Sequence, residues 1–154
     1  FYKDDTLTLK KEKYTGDLKL DGYYYSFYLS EKYVTVIFLY EDGTIIKGSH
    51  EMTSTKFQGI EEYLKDLGLL LQDVKNHKSL IGIFNTKSDS ILYEKWYPSN
   101  GSKHSYIHSG KILNDSTFII NKSQRKGKKR IKKERVYHFK KYSPKLDSTN
   151  NCLD

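Results

Sequence analysis

The sequence predicts a mainly β fold, an antiparallel barrel or strongly curled sheet with one amphipathic helix near 55–67. Three observations predict it. Short runs rich in β-branched and aromatic residues recur at close spacing, turn residues separate them, and one stretch alone carries a helical period. Several runs are apolar on both faces, which suits a barrel with a filled interior and a partly covered exterior.

Leu7 to Lys10 reads as a short strand and Asp17 to Leu29 as a longer one. Alternation puts Tyr23, Tyr25 and Phe27 on one face, with Leu20, Tyr24 and Tyr28 on the other. Tyr33 to Tyr40 is β-branched and aromatic throughout. Glu41-Asp42-Gly43-Thr44 then leads into Ile45 and Ile46, and Asp-Gly between two such runs predicts a hairpin closed by a two-residue type I′ turn. From Thr53 to Leu67 the period becomes helical, with Phe57, Ile60, Leu64 and Leu67 on one face and Glu61, Glu62, Lys65 and Asp66 opposite. Thr55 and Gln58 have capping-box spacing, and Gly68 is placed to end the helix in a left-handed cap. Leu69 to Val74 reads equally as a further helical turn or as loop.

Leu80 to Thr86, Ser90 to Tyr97, His104 to Leu113, Thr117 to Lys122 and Ile131 to Tyr142 complete the strands, and an irregular tail follows from 143. The 154 residues make one domain, 1–154, large enough for a core without staples. Cys152 is the single cysteine, so no disulfide forms within the chain. No run approaches the ~20 apolar residues of a spanning helix, and the chain as given reads as soluble. It begins at Phe1 rather than Met, which fits a processed leader.

Charge is concentrated in one place. Lys122, Arg125, Lys126, Lys128, Lys129, Arg130, Lys132, Lys133 and Arg135 are opposed only by Glu134, which equals the chain's net charge of +8. With Gly127 at the turn, 122–135 is a hairpin tip projecting into solvent. Arg125, Lys126, Lys128, Lys129, Arg130, Lys132 and Lys133 are the candidates for docking a polyanion, an anionic lipid or glycan. Nucleic acid fits less well, since the tip lacks interleaved aromatics for stacking.

Nothing matches a phosphate-binding glycine loop, a nucleophile elbow or a paired-histidine zinc helix, which counts against an enzyme. A hydrolase-type alternative would use His104, His108 or His138, if one of them meets a carboxylate or hydroxyl in a cleft. Same-face strand positions four apart are separated by over ~13 Å, so His104 and His108 make a poor chelating pair, and no metal or cofactor is expected. Surface or edge positions are the plainer reading for these imidazoles. Tyr23, Tyr25, Tyr40, Tyr93 and Trp96 are the candidates to line a cavity for a small apolar ligand.

Leu20-Asp21-Gly22-Tyr23-Tyr24, Leu39-Tyr40-Glu41-Asp42-Gly43, Trp96 and the block from Tyr137 to Thr149 together resemble a group of small uncharacterised bacterial envelope lipoproteins. That resemblance implies export and a lipid anchor upstream of Phe1, hence a cell-envelope location. It implies no activity. The architecture is also similar to lipocalin-like barrels, by analogy of fold only. Gly22-Tyr23-Tyr24 stands where their Gly-x-Trp would be, and the helix lies mid-chain. The function expected is therefore a non-enzymatic envelope domain that binds a small apolar ligand or a surface partner.

Overall fold

A computed structural model describes residues 3–52, 56–99, 101–125 and 127–147. Eight antiparallel strands close into a barrel in simple up-and-down order. They are β1 (Gly22–Tyr28), β2 (Tyr33–Leu39), β3 (Thr44–Glu51), β4 (Ile81–Lys87), β5 (Ser90–Ser99), β6 (Ser102–Asn114), β7 (Thr117–Arg125) and β8 (Ile131–Lys141). One helix, α1 (Lys56–Leu70), crosses from β3 to β4 and is followed by short 3-10 segments at Leu71–Asn76 and Lys78–Leu80. No helix of the described residues is long and apolar enough to cross a membrane.

Strand alternation sorts the apolar residues into two cores. The first draws Tyr24, Ile37, Leu39, Ile45, Phe84, Ile91, Tyr93, Phe118, Ile120 and Tyr137 from seven strands and takes Ile112 from the remaining one, so it is the barrel's lumen. The second lies outside, where Tyr23, Val34, Val36, Phe38, Ile46 and Ile81 meet Ile60, Leu64 and Leu67 of α1. These three helix residues are fully buried. At the foot of the helix Phe57 is 37% exposed, resting edge-on against Tyr25.

Several expected details differ. The run Leu7 to Lys10 forms no strand, because the backbone N–H groups of Thr8 and Leu9 donate to the buried carboxylate of Glu94 (2.6 and 2.8 Å) instead of to a neighbouring carbonyl. β1 begins at Gly22 rather than Asp17. A Cβ at Gly22 would lie 2.1 Å from the Lys140 carbonyl, so only glycine lets β8 close on β1 there. The Asp-Gly hairpin closes through a three-residue loop, not a type I′ turn. Gly43 (φ +93°) is the only one of Glu41, Asp42 and Gly43 with positive φ, the Tyr40 N–H reaches the Thr44 carbonyl, and Asp42 Oδ1 accepts from the Thr44 N–H. Gly68 does not end the helix. It continues to Leu70 and passes into 3-10 turns that bury Leu71 and Val74, which settles the stretch left open above. The proposed capping residue Thr55 lies outside the described residues.

Three features make the two ends of the barrel unlike. The N-terminal segment crosses one end, where Tyr14 packs on Phe84 and Leu18 is buried. There the Tyr14 hydroxyl accepts from the Leu18 N–H (2.8 Å), and the Tyr24 hydroxyl donates to the Lys19 carbonyl (2.8 Å). The β1–β8 seam is paired only from Gly22↔Lys141 to Tyr25↔His138, all toward that same end. Finally, β4 pairs with β3 over just three positions, so at the opposite end the wall between β3 and β5 is made by the 3-10 segments. The tail from 143 is irregular as expected, yet it packs: Leu146 joins the outer core and its carbonyl accepts from the Tyr40 hydroxyl at 2.6 Å.

Candidate functional site

At the end not crossed by the N-terminal segment, the lumen holds a cavity of about 270 Å³. Tyr28, Thr35, Lys47, Ser49, Tyr93, His108, Ile120, Ser123, Lys133, Arg135 and Tyr137 line it. The same alternation that puts Ile37 and Ile45 in the apolar half puts Thr35, Lys47 and Ser49 here, two and four residues further along the same inward faces. Among the described residues of the lining, three carry positive charge and none is acidic.

Lys47 is half-buried, and among the described residues its Nζ donates to Tyr93 Oη (3.0 Å) and Tyr97 Oη (3.3 Å) and lies over both rings. Burial, with Arg135 nearby, lowers its pKa to about 8. Lys95 points inward from β5 and donates to the Ser79 carbonyl at the gap left by the late start of β4, with Nζ 4.1 Å from the Tyr97 ring centre. Burial and Lys47 hold its pKa well below the ordinary lysine value. Arg135 lays its guanidinium on the Tyr28 ring (3.9 Å) and donates to Thr35 Oγ1 (3.1 Å), which holds β8 beside β1 and β2 past the point where the seam pairing stops.

His108 stacks on Tyr93 at 4.5 Å and bridges Tyr97 Oη (2.9 Å at Nε2) and Ser123 Oγ (2.6 Å at Nδ1). Burial, reinforced by Lys47 and Lys95, pushes its pKa far down, so it is neutral. Desolvation holds the Tyr93 and Tyr97 hydroxyls protonated and raises the Tyr137 pKa to about 12.

Of the five aromatic residues proposed as ligand lining, Tyr93 alone reaches this lumen. Tyr23, Tyr25 and Tyr40 belong to the outer core or its margin, and the Trp96 indole donates to the Asp5 carbonyl (2.7 Å) in the N-terminal arm. Alternation separates the faces of a strand without saying which one is the inside, and the helix decided that. The histidines divide similarly. His108 is a lumen residue, not the surface or edge residue expected, whereas His138 is exposed on the outer face against Tyr25. His104 lies 3.5 Å from the Asp5 carboxylate, away from the cavity.

The basic hairpin stands at the same end as the cavity. β7 ends at Arg125, Gly127 turns with φ +76°, and Lys128, Lys129, Arg130 and Lys132 are exposed. Lys126 lies outside the described residues. Not all the segment projects outward as expected, because Arg135 shares the inward register of Tyr137 and lines the cavity half-buried, while Lys133, in the same register, stands exposed at the cavity's mouth. Lys47 and Ser123 were missed as site residues by sequence reasoning, and Arg135 was read only as part of the basic hairpin. A lone lysine two residues beyond Ile45 in an otherwise apolar alternation was the available signal for Lys47.

No protein-family model, no curated protein and no solved structure matches the chain.

Proposed function

We propose that this is a non-enzymatic binding barrel that takes a small molecule into the open end of its lumen. The cavity of about 270 Å³ carries the reading, because it sits inside a barrel whose other half is filled with side chains. His108 does meet a hydroxyl in the cavity, Ser123 Oγ at 2.6 Å, as the hydrolase-type alternative requires, but burial with Lys47 and Lys95 pushes its pKa far down and leaves it a weak base, which supports binding over hydrolysis. The polar lining favours a ligand with a polar group over the wholly apolar one expected from composition.

The test uses four benzene-ring probes, phenyl phosphate, benzoate, benzyl alcohol and benzylamine, titrated calorimetrically into the wild type and into Ser49→Phe, whose new ring would fill the cavity. At least one probe should bind the wild type and fail to bind the filled variant. Equal behaviour of the two proteins toward every probe overturns the reading. The envelope location and lipid anchor rest on the sequence resemblance, and recovery of the full-length protein in the detergent phase of a Triton X-114 partition tests them.

A second reading, docking of the basic hairpin on an anionic lipid surface, is favoured by two exposed aliphatic side chains at the same end: Leu29 (65% exposed) and Ile131 (60%). Replacing Lys128, Lys129, Arg130 and Lys132 with Gln should weaken binding to phosphatidylglycerol vesicles, and unchanged binding rejects it.

A further inference from the structure

Charge buried in a protein is costly unless something of opposite sign lies beside it. The open end of the lumen collects the partly buried Lys47 and Arg135 around one cavity, with the buried Lys95 close behind and the exposed Lys133 at the mouth, and among the described residues it is lined otherwise by neutral groups. The hydroxyls of Tyr93 and Tyr97 solvate Lys47 and that of Thr35 solvates Arg135, but they carry no charge to balance them. Arg135 cannot shed its proton at any ordinary pH. The Tyr28 ring supports the guanidinium from one side, and the exposed lysines of the hairpin stand at the same end, adding to the field that draws anions toward the mouth.

We infer that the lumen is an oxyanion site: its ligand is a small organic molecule bearing a phosphate, sulfonate or carboxylate group, which sits among Lys47, Lys133 and Arg135. The inference rests on the lumen-binding reading above and names the ligand class of that same site. Guanidinium and ammonium donors suit such oxygens, through a planar fork and a point charge respectively. Three cations favour a doubly charged group over a singly charged one. Tyr28, Tyr93, Ile120 and Tyr137 make up the apolar part of the lining, beside which the organic part of the molecule lies.

The four probes rank themselves under this inference: phenyl phosphate binds most tightly, benzoate next, and benzyl alcohol and benzylamine least. Lys47→Met should weaken phenyl phosphate about tenfold or more, as the loss of a charge-assisted hydrogen bond in a shielded site does. Arg135→Gln provides a second variant should the first fail to fold, with circular dichroism as the check. A control with Lys128, Lys129 and Arg130 changed to Gln should retain binding within about threefold, since these side chains supply only a screened field. If benzyl alcohol or benzylamine enters the lumen as tightly as phenyl phosphate, the oxyanion inference falls while the lumen reading stands. Loss of phenyl phosphate binding in the hairpin control, with retention in Lys47→Met and Arg135→Gln, places the anion at the tip and also overturns it. Failure of all four probes to bind the wild type removes both.

Discussion

The two halves of the lumen are built from the same eight strands by the same alternation, and they do opposite things. Around Phe118 the interior is apolar and aromatic. Phe118 packs on Tyr24 (4.9 Å) and Tyr137 (5.1 Å), and the N-terminal segment lies across that end. Around Lys47 the interior is hydroxylic and cationic, the seam between β1 and β8 is unpaired, and space remains. Folding free energy therefore concentrates in one half. The other keeps buried charge that a purely structural core would avoid, which is the usual price of a site. The division resembles that of proteins whose binding regions are drawn from their less stable elements.

Substitutions at matched depth should expose the contrast. The largest effect belongs to Phe118→Ala in the filled half, which should destabilise by ~3–5 kcal/mol in urea denaturation, since the ring is fully buried and its neighbours cannot collapse into the space. Lys47→Met in the open half should go the other way and stabilise by ~1–4 kcal/mol, because a desolvated cation is exchanged for an apolar chain of similar length. A destabilising Lys47→Met would break the comparison.

The pH dependence sharpens the same point. Lys47 titrates at about 8 when folded, against 10.5 ordinarily. Above the folded value the unfolded chain still binds the proton and the folded chain does not, so this group makes stability rise with pH from about 8 upward. Lys95, lowered in the same direction, adds to the slope. The tyrosines that burial raises, Tyr93, Tyr97 and Tyr137 among them, oppose it as the pH nears their ordinary value of 10, because the unfolded chain then gives up phenolic protons that the folded chain keeps; Lys145, also lowered to about 8, adds to the rise, and His108 is already neutral. Lys47→Met should flatten the rise, and saturating phenyl phosphate should flatten it too by keeping the proton on Lys47. Thermal melts from about pH 7.5 to about 9, below the range in which tyrosine ionisation takes over, measure both effects.

A smaller effect is expected at the seam. Tyr28→Ala removes the ring beneath Arg135 and should cost about 1 kcal/mol. Hydrogen exchange should then quicken at Lys133 to Arg135 and stay slow from Tyr137 to Lys141, where β8 retains its pairing with β1. The smallest effect is at the hairpin, where the Gln substitutions at Lys128, Lys129 and Arg130 should change stability by no more than about 0.5 kcal/mol.

Much of this architecture was legible in the residues alone. Runs such as Tyr33 to Leu39 admit only a strand, the period of Ile60, Leu64 and Leu67 admits only a helix, and their order admits a curled antiparallel sheet with a single crossover. Local chemistry carried those decisions, because β-branching and apolar spacing act within a few residues of the chain. Where Glu94 lies 86 residues from Thr8, no local pattern announces that its carboxylate will take the N–H groups of a would-be strand. The site was hidden for the same reason. His108, Tyr97, Lys47 and Arg135 are ordinary residues in four separate strands, and barrel closure turns their side chains toward one another. By itself the sequence determined which residues alternate and where the positive charge accumulates. The tertiary structure alone decided which face became the inside, because that depends on the side α1 covers, and which end stayed open, because that depends on where the N-terminal segment crosses.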